Sequence, residues 1–584
     1  MVLVAAKGDG EWSYRPEAHC IDDMSIQKMA RELNIPSAAA IILQRRGICE
    51  VEEAIDFLYP KLASLPSPSL MKGMDEAVGL VITAFKQKKD IVIHGDYDVD
   101  GISSTALLSS FLHHLDIEPI CYIPDRLSEG YGLSGETVRR LAQQVSMPGL
   151  LITVDCGITA VEEVELAHQL GFNVIITDHH EPLGELPAAD AILNPKNPEC
   201  SFPYRSLAGV GVVFYLIMGI RARLVEEGFW TKKTSPNLKQ FLDLVALGTV
   251  ADVMQLTGVN RVLVRAGLDV LSERVRPGVW ALCERASIMQ GRITGEDISY
   301  RLAPRLNAAG RVDDPMLSFD LLTCKDTNRA MELARRLDEV NRKRRSLESA
   351  ATEQAMGQAR EQVKEGSGGL VVYGPWHPGV VGIVASRIVD RFSLPVIVFT
   401  DDTTGCEQNL KGSGRSVKGV NLFETLGECT EFTLQHGGHA MAAGLTLEKT
   451  ELKRFSRLFD KLIVKKMSSF SSNDSDIYVD YYVHEGEVFE DKFIKSYDQL
   501  GPFGEGNPEP VFIASNLDIV SINRVKSHLS FKVKHNGSLF HGIWFGMGDH
   551  AVKLETSPHL LFTMRSNFFR GEPQWEIRAL AVIP

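Results

Sequence analysis

Three aspartates crowd into one short segment, and this crowding is the most informative chemical feature of the sequence. Asp96, Asp98 and Asp100 directly follow the apolar run Ile91-Val92-Ile93. Two neighbouring carboxylates repel each other by roughly 1 to 4 kcal/mol at 4 Å, depending on the local dielectric. Such a cluster at the buried end of a strand indicates a divalent cation that compensates the charge. The alternative is a solvated acidic turn.

The residues on either side of the aspartates favour the metal site over the acidic turn. His94 lies four residues before Asp98 and supplies a second type of ligand. Gly101 opens a helix-like stretch over residues 102–115, as a strand-loop-helix unit requires. We therefore predict that the aspartates lie between a strand and a helix.

Two further apolar segments also end in potential ligands. The sequence predicts strands at residues 90–93, 150–154 and 173–177, separated by amphipathic stretches, and this alternation is typical of a parallel α/β sheet. Asp155 follows the second strand, and Asp178-His179-His180 follows the third. Because ligands gather at the carboxyl ends of parallel strands, we expect these groups to meet at one edge of the sheet.

The ligand types favour Mn²⁺ or Mg²⁺ over a thiolate-bound metal. Two such ions about 3.5 to 4 Å apart would clamp a scissile phosphate and generate hydroxide near neutral pH, so phosphodiester hydrolysis is the natural use. An isolated Asp-His-His motif is weak, because buried histidines are often only hydrogen-bonded, but several acidic clusters in strand order are stronger. The nine cysteines include no Cys-x-x-Cys pair, which suits reduced thiols.

Length and charge limit the remaining function classes. A chain of 584 residues exceeds one core and predicts three or four domains. We expect a cytoplasmic protein without membrane contact, because no stretch of 18 apolar residues and no signal-peptide pattern occurs. The net charge of −13 argues against coating nucleic acid by bulk charge, but not against a local basic groove. Residues 516–570 carry seven basic and three acidic residues, a net charge of +4.

The organisation along the chain predicts an α/β protein of several parts. We expect an N-terminal helical region at 1–50, a parallel-sheet catalytic domain at 51–325, a long connecting helix at 326–365, a second α/β domain at 366–467 and a C-terminal antiparallel β-barrel at 474–584. In the second α/β domain, strands at 370–373 and 395–399 surround a helix at 380–391. The basic run at 342–345 predicts a solvated helix face, with a nucleic-acid contact as the alternative.

Aromatic residues interleave with lysines and arginines in the predicted barrel. This pattern suits stacking of bases on an oligonucleotide-binding barrel. The alternative is that the aromatic side chains form the core of the barrel. The residues concerned are Phe531, Trp544, Phe568, Phe569 and Trp575.

The motifs together resemble those of the DHH phosphoesterase superfamily. The matching segments are His94-x-x-x-Asp98-x-Asp100, Val154-Asp155-Cys156-Gly157, Asp178-His179-His180 and Gly248-Thr249-Val250-Ala251-Asp252. Within it, the chain is similar to the RecJ single-stranded-DNA-specific exonucleases through the segments at 301–311, 412–416, 437–444 and 501–508. The resemblance covers roughly residues 50 to 584 and implies DHH, DHHA1 and OB-like domains.

The resemblance implies two metal positions that share one bridging aspartate. The first would be held by His94, Asp98 and Asp155, and the second by Asp100, Asp155, His179 and Asp252. Asp96 and His180 match family positions that we interpret as catalytic. One of them would orient a ligand or water, and the other would touch the phosphate.

We interpret residues 412–416, Gly-Ser-Gly-Arg-Ser, as a flexible loop that approaches a phosphate while Arg415 pairs with it. From the residues alone, a turn with a solvated arginine is the alternative. The resemblance to a DHHA1 domain implies a pocket for the 5′ end of the strand. The other expected contacts to nucleic acid are Arg126, Tyr131, Arg305, Asn307, Arg311, Ser413 and His439.

The resemblance implies a 5′-to-3′ exonuclease specific for single-stranded DNA that releases mononucleotides in DNA repair and recombination. Its cofactors would be two divalent cations, Mn²⁺ or Mg²⁺. One alternative is a DHH-DHHA1 phosphodiesterase acting on short oligoribonucleotides or small nucleotides, and another is a non-catalytic scaffold. The family also implies a RecQ-type helicase and a single-strand-binding protein as partners, and we expect a monomer.

Overall fold

The computed structural model describes residues 12–14, 21–126, 129–182, 184–288, 291–402, 406, 408–468, 477–483, 487–515, 517–535, 537–551, 554, 559–569 and 572–583. The described strands form four sheets, of two, five, five and seven strands. Helices cover or connect the larger sheets. Within this described part, no helix has both the length and the apolarity to cross a bilayer.

The described part of the N-terminal region contains three helices. Its helices are α1 (Asp23–Leu33), α2 (Ser37–Arg45) and α3 (Val51–Leu58), and Asp22 caps α1 by accepting a hydrogen bond from the Ser25 amide at 2.8 Å. A short strand, β1 (Trp12–Tyr14), pairs in parallel with a strand of the C-terminal region. Cys49 is disulfide-bonded, so the expectation of reduced thiols does not hold for this residue.

A parallel five-stranded sheet forms the first α/β domain, which confirms the predicted parallel sheet. Its strands are ordered β3-β2-β4-β5-β6. The three central strands are buried almost throughout, as strands covered on both faces must be. The elements are α4 (Met74–Gln87), β2 (Ile91–Gly95), α5 (Val99–Leu112), β3 (Ile120–Tyr122), α6 (Gly135–Ala142), β4 (Gly149–Val154), α7 (Val161–Gln169), β5 (Phe172–Thr177) and β6 (Ala191–Leu193).

A group of helices completes this domain and packs into the same core as the sheet. The helices are α8 (Gly209–Glu226), α9 (Leu242–Ala251), α10 (Gly258–Glu273), α11 (Pro277–Arg285), α12 (Gly295–Asp297), a π-helical turn at Ile298–Leu302, α13 (Ala303–Val312) and α14 (Met316–Thr323).

The predicted connecting helix is present as α15 (Thr327–Lys364), 38 residues long, with Asp326 as its N-cap. Leu333, Leu337 and Val340 belong to the core of the first domain. Ala351 and Ala355 belong to the core of the second α/β domain. One continuous helix therefore ties the two α/β domains together.

The second α/β domain contains a sheet of order β10-β11-β9-β8-β7, in which only β7 and β8 run parallel. Its elements are β7 (Leu370–Tyr373), α16 (Pro378–Phe392), β8 (Val396–Asp401), β9 (Asn409–Arg415), α17 (Leu422–Gly427), β10 (Gln435–Gly438), β11 (Ala442–Glu448) and α18 (Leu452–Ser468).

The prediction of a flexible loop at residues 412–416 is wrong, because Gly412, Ser413 and Arg415 lie on β9, the central strand of this sheet. An added Cβ on Gly412 would lie 2.5 Å from the Phe399 ring. The glycines of this segment thus allow close packing within a strand. Sequence composition alone did not distinguish such glycines from those of a turn.

The C-terminal domain is a seven-stranded sheet with the order β13-β14-β18-β19-β17-β16-β15. Two of its pairings, β13 with β14 and β17 with β19, are parallel, which differs from the expected antiparallel domain. No pairing between the described parts of β13 and β15 closes the sheet. The elements are β12 (Ile477–Val479), β13 (Tyr481–Val483), α19 (Asp491–Leu500), β14 (Phe512–Ser515), β15 (Asp518–Val525), β16 (His528–His535), β17 (Ser538–Trp544), β18 (His559–Phe569) and β19 (Glu572–Ile583).

The aromatic residues of this domain serve mainly as core. Phe531 and Trp544 are fully buried, and Trp575 is half-buried, with its ring 5.4 Å from that of Tyr497. The predicted base stacking therefore has no support from Phe531 or Trp544. The side chains of Phe568 and Phe569 lie outside the described residues.

The N-terminal helices share a hydrophobic core with the C-terminal domain, although that domain is the most distant from them in sequence. Met29, Leu43 and Leu58 share one hydrophobic cluster with Phe493 and Phe512. Arg45 Nη1 donates a hydrogen bond to the Asp480 carbonyl at 2.7 Å. The N-terminal and C-terminal parts of the chain thus contact each other, an arrangement that the sequence did not predict.

Candidate metal centre and phosphate-binding surface

Five strand and helix ends in the first domain bring eight acidic and histidine side chains together. We refer to these residues as the carboxylate–histidine centre. Its members are His94, Asp96, Asp98, Asp100, Asp155, His179, His180 and Asp252, all of which the sequence predicted as site residues. They come from the ends of β2, β4 and β5, from the start of α5 and from the end of α9.

Asp98 caps α5, and this contact moves the start of the helix from the predicted Ile102 to Val99. One carboxylate oxygen of Asp98 accepts hydrogen bonds from the amides of Asp100 at 2.8 Å and Gly101 at 3.1 Å. Asn307 Oδ1 accepts a hydrogen bond from the Val99 amide at 3.1 Å. The loop that carries the three aspartates is therefore fixed both by the Asp98 cap and by Asn307 of α13.

Asp100 is buried beneath the start of α8. Its two carboxylate oxygens accept hydrogen bonds from the amides of Gly209 at 2.7 Å and Val210 at 2.9 Å. Burial, followed by the charge of Asp98, raises the pKa of Asp100 to about 7. The two amides partly offset this rise, because a helix N-terminus favours the ionised carboxylate.

Asp155 lies at the middle of the centre and has an unusual backbone conformation. Its φ angle is 62°, in the left-handed region that non-glycine residues seldom adopt. Oδ1 is buried without a hydrogen-bond partner and lies 3.2 Å from Nε2 of His179. Burial and the charges of Asp100, Asp98 and Asp252 raise the pKa of Asp155 well above its usual range.

Asp178 organises the end of β5. Its Oδ1 accepts hydrogen bonds from the amides of His179 at 2.7 Å and His180 at 3.0 Å and lies 2.8 Å from His180 Nδ1, while Oδ2 accepts from the Ile158 amide at 2.9 Å. Burial alone would lower the pKa of His180, but the hydrogen bond and charge of Asp178 outweigh it and raise that pKa to about 9.

His179 differs sharply from His180. Both of its ring nitrogens are buried without a hydrogen-bond partner, and Nε2 lies 3.5 Å from Asp252 Oδ2. Burial and the neighbouring His180 lower the pKa of His179 to about 3. His179 is therefore neutral at physiological pH, which is the form that binds a metal.

His94 is completely buried, and its Nδ1 lies 3.5 Å from Cys156 Sγ. Its Nε2 has no hydrogen-bond partner, and burial lowers its pKa to about 4. Burial, followed by the charges of Asp100 and Asp98, raises the pKa of Asp252 to about 8. One imidazole is thus kept neutral, while an ionised Asp252 would need a compensating positive charge.

Three subsets of the centre have ligand atoms within 4.8 Å of one another: Asp100, His179 and Asp252; Asp96, Asp98 and Asp155; and Asp155, His179 and His180. The first subset contains three of the four residues expected at the second metal position. The second subset contains Asp96 where the resemblance implied His94. The metal assignments of individual residues stay predictions.

The centre suits divalent cations. Five of its side-chain nitrogen and oxygen atoms are buried without a hydrogen-bond partner, namely His94 Nε2, Asp96 Oδ1, Asp155 Oδ1 and both ring nitrogens of His179. Buried polar groups are normally paired, so unpaired atoms that converge on one place indicate missing ligand partners. The donor set of carboxylates and imidazoles fits Mn²⁺ or Mg²⁺.

Three arginines lie beside this centre, and we refer to Arg126, Arg311 and Arg415 as the arginine cluster. The Arg126 guanidinium lies 5.1 Å from the centroid of the Tyr97 ring, next to Asp96 in sequence. Burial, followed by the charges of Arg126 and other arginines, lowers the pKa of Arg311 to about 10. In the described part of the chain, no carboxylate forms an ion pair with any member of the cluster.

The cluster lies where the second α/β domain meets the first. An added Cβ on Gly382 in α16 would lie 3.1 Å from Ser413 Oγ and 3.2 Å from Arg415 Nη2. Arg415 Nη1 donates a hydrogen bond to the Gly414 carbonyl at 2.8 Å. Ser413 and Arg415 thus pack against the second turn of α16.

The remaining predicted contacts divide into exposed and structural positions. Tyr131 is 52% exposed, and its hydroxyl lies 3.3 Å from His180 Nδ1. His439 is exposed beyond the end of β10. Arg305 is instead held by Asp338 of α15, with Nε 3.1 Å from the carboxylate, and by the Arg301 carbonyl at 2.6 Å. This geometry favours a structural role for Arg305 over the expected phosphate contact.

Two residues that shape the site were not among the predicted metal, catalytic or phosphate-binding residues. Asp178 was recognised only as part of the Asp-His-His motif, although it fixes both following histidines. Glu129 accepts hydrogen bonds from the Tyr122 hydroxyl at 2.5 Å and from Arg140 at 2.7 Å, and it anchors the loop that carries Arg126 and Tyr131. A lone Glu in a Gly-rich loop gives no sequence signal for such a role.

Comparison with known proteins gives concordant results along the chain. Residues 90–249 match the DHH family N-terminal domain, residues 353–465 the DHHA1 domain and residues 479–580 the RecJ OB domain. The RecJ single-stranded-DNA-specific exonuclease of Escherichia coli K12 is 37% identical over 531 residues, covering 87% of this chain and 89% of the relative. That of Bacillus subtilis strain 168 is 36% identical over 90% of this chain and 65% of the relative.

Solved structures give the same result. The crystal structure of Thermus thermophilus RecJ in complex with Mn²⁺ matches with a TM-score of 0.80 and 28% identity, covering 97% of this chain and 78% of that one. The corresponding complex with Mg²⁺ matches with a TM-score of 0.73 and 26% identity, covering 97% and 77%. The order of domains and their arrangement are therefore shared.

Proposed function

The chain belongs to the RecJ family of single-stranded-DNA-specific exonucleases, and from that premise we propose that it degrades single-stranded DNA from the 5′ end with two divalent cations. The reaction is hydrolysis of phosphodiester bonds with release of mononucleotides. As the family resemblance implies, we place the enzyme in DNA repair and recombination.

One observation carries this proposal. The carboxylate–histidine centre, which needs cations, lies beside an arginine cluster that has no carboxylate partner in the described part of the chain. A metal centre alone would suit many phosphoesterases. Unpaired guanidinium groups beside it suit a substrate with several phosphates, because Arg pairs with phosphate through two parallel hydrogen bonds.

When bound, the cations would polarise the scissile phosphate and lower the pKa of a bound water. We assign one of them to Asp98, Asp155 and His94 and the other to Asp100, Asp155, His179 and Asp252. Asp178 keeps His180 protonated, so that His180 can donate a hydrogen bond to a phosphate oxygen. We assign Asp96 to the orientation of a ligand or of the attacking water.

We assign the end of the strand to the arginine cluster. Arg415 and Ser413 beside α16 would hold a terminal 5′ phosphate, and Arg311 and Arg126 would contact the next phosphate, which is the scissile one at the centre. Tyr131, Asn307 and His439 border this path. Binding of the terminal phosphate beyond the scissile bond would limit the product to one nucleotide and set the polarity.

The experiment uses oligonucleotides labelled at either end, as single strands and as duplexes, with Mn²⁺ or Mg²⁺. We expect mononucleotides to appear from the 5′ end of the single strand and little attack on the duplex. The Asp100→Ala variant is the control for a contaminating nuclease. Release of label first from the 3′ end, or equal attack on duplex, would refute the proposal.

The two other function classes receive less support. Phosphodiesterases of short oligoribonucleotides or small nucleotides do not require the C-terminal domain, which here matches the RecJ OB domain. A non-catalytic scaffold would not need the converged ligands of the centre. We propose a cytoplasmic monomer that cooperates with a RecQ-type helicase and a single-strand-binding protein, as the family resemblance implies.

A further inference from the structure

One motif singled out in the sequence has no part in the proposed reaction. Residues 501–508, Gly-Pro-Phe-Gly-Glu-Gly-Asn-Pro, follow α19 and lead into β14 of the C-terminal domain. We refer to them as the docking segment. They lie against residues 252–257, the Asp252 loop, which begins with a residue of the carboxylate–histidine centre and ends before α10.

Consecutive residues of the two segments touch one another. The carbonyl of Glu505 accepts a hydrogen bond from the Leu256 amide at 2.7 Å. An added Cβ on Gly504 would lie 2.8 Å from Leu256 Cδ1, and one on Gly506 would lie 3.2 Å from Thr257 Cγ2. Side chains at 504 and 506 would therefore push against the loop.

The Asp252 loop needs such support. Val253, directly after Asp252, has a φ of 56°, and a β-branched residue adopts this left-handed conformation only under constraint. Within the first domain, the Gln255 carbonyl accepts hydrogen bonds from the Tyr204 hydroxyl at 3.1 Å and from Asn260 Nδ2 at 3.0 Å. The partner of the buried Leu256 amide comes from the docking segment, so the loop is completed by another domain.

Several hydrogen bonds hold the docking segment in one conformation. Gly504 and Asn507 exchange two backbone hydrogen bonds, of 2.9 and 3.2 Å. Asn507 is buried, and its Nδ2 donates to the carbonyls of Leu500 at 2.9 Å and Pro502 at 2.8 Å. Its Oδ1 accepts from Arg46 of the N-terminal region. A change at Asn507 therefore alters the segment as a whole.

A second contact fixes the segment to the first domain. Arg261 of α10 donates hydrogen bonds to the carbonyls of Gln499 at 3.1 Å and Gly501 at 2.8 Å, and its guanidinium lies 3.6 Å from the centroid of the Phe57 ring. α10 begins directly after the Asp252 loop. Both the loop and the helix that follows it are thus held by the same segment.

We propose that residues 501–508 position Asp252, so that docking of the C-terminal domain completes the second metal position. The proposal rests on the metal assignment made for the exonuclease, but it concerns this chain's own contacts. It makes Asn507 and Gly504 positioning residues, which act on the metal through the Asp252 loop without touching it. Residues that orient ligands from outside commonly change metal affinity by about 10- to 100-fold.

The test compares full-length variants by calorimetric titration with Mn²⁺ in the absence of DNA. Asn507→Asp replaces a donor of two hydrogen bonds by an acceptor, and Gly504→Ala adds a methyl group against Leu256. We expect each to weaken one of two Mn²⁺ binding steps by about tenfold. At saturating Mn²⁺ their kcat should recover. If Asn507→Asp does not fold, as circular dichroism would show, Gly504→Ala decides alone.

Glu296→Gln is the matched control. Glu296 pairs with Arg565 at 3.2 Å and with Arg578, so it joins the same two domains without contacting the Asp252 loop. We expect both of its Mn²⁺ affinities to be unchanged. Wild-type Mn²⁺ binding in Gly504→Ala, or an equal loss in Glu296→Gln, would overturn the inference. If the wild-type chain binds two Mn²⁺ but does not cut single-stranded DNA, the proposed function fails while this inference is still decided by the titration.

Discussion

The crowded carboxylates predict that binding of Mn²⁺ expels protons from the protein. In the metal-free protein the pKa of Asp252 is raised to about 8 and that of Asp100 to about 7. The two buried histidines behave oppositely, because the pKa of His179 is lowered to about 3 and that of His94 to about 4. At neutral pH, therefore, Asp252 and part of Asp100 hold protons, whereas the imidazoles of His179 and His94 do not.

The size of the effect follows from these values. At pH 7, a carboxyl with a pKa of about 8 is about nine-tenths protonated, and one with a pKa of about 7 is about half protonated. Because cations bind the ionised forms, Asp252 and Asp100 together would release about 1.4 protons. At pH 9 the same two groups hold about 0.1 proton. Release should therefore fall by at least about one proton between pH 7 and pH 9.

Calorimetric titration with Mn²⁺ in buffers of different ionisation enthalpy measures the number of protons released. Asp252→Asn is the matched variant, since it keeps the shape of the side chain and removes its proton. We expect its release at pH 7 to be about 0.9 proton smaller. A proton release near zero at pH 7, or one that does not change up to pH 9, would refute the assignment of protonated carboxyls to the metal-free centre.

Three further predictions concern the surroundings of the centre. Arg415→Ala should raise KM for 5′-phosphorylated single strands by about tenfold or more, because a charge-assisted hydrogen bond contributes about 1.5 to 3 kcal/mol. The KM for 5′-hydroxyl strands should change little. Steady-state kinetics on both substrates test this prediction. Asn307→Ala should lower kcat about fivefold by freeing the Val99 amide, and Asn307→Asp, which still accepts that hydrogen bond, should restore most of it. Metal-free protein should lose stability as pH rises from about 6.5 to 8, since folded Asp100 and Asp252 keep protons that the unfolded chain has released, while His94 and His179 are neutral in both states. Thermal unfolding in EDTA and in Mn²⁺ checks this prediction, and a loss that Mn²⁺ does not reverse at pH 8 would contradict it.

The sequence predicted the first α/β domain well, because its signals are local. Apolar runs followed at once by Asp or His mark the carboxyl ends of β2, β4 and β5, and a parallel sheet brings these ends to one edge. The long helix α15 was equally clear, since its apolar spacing is uninterrupted by proline. Long periodic segments and strand ends are the features that local sequence determines.

The sequence failed where the outcome depends on a distant partner. The composition around Gly412 predicts a turn. Gly412 instead lies within a strand, where the Phe399 ring of the neighbouring strand leaves no room for a side chain. Arg305 carries the charge of a phosphate ligand, but Asp338 of α15 neutralises it. Asp178 resembles a metal ligand in the sequence. In the structure its carboxylate is hydrogen-bonded to the amides of His179 and His180 and to the His180 imidazole. No local pattern contains these partners.

The shared cluster of N-terminal helices and C-terminal domain has a consequence for biosynthesis. A ribosome adds about 5 to 20 residues per second, so more than 400 residues separate α3 from β13 by about 20 to 80 s of translation. During that interval the residues of α1 to α3 in this cluster lack their C-terminal partners, such as Phe493 and Phe512. Nascent chains should therefore depend on chaperones until the C-terminal domain emerges, and a truncation that removes residues 474–584 should aggregate unless residues 21–58 are removed with them.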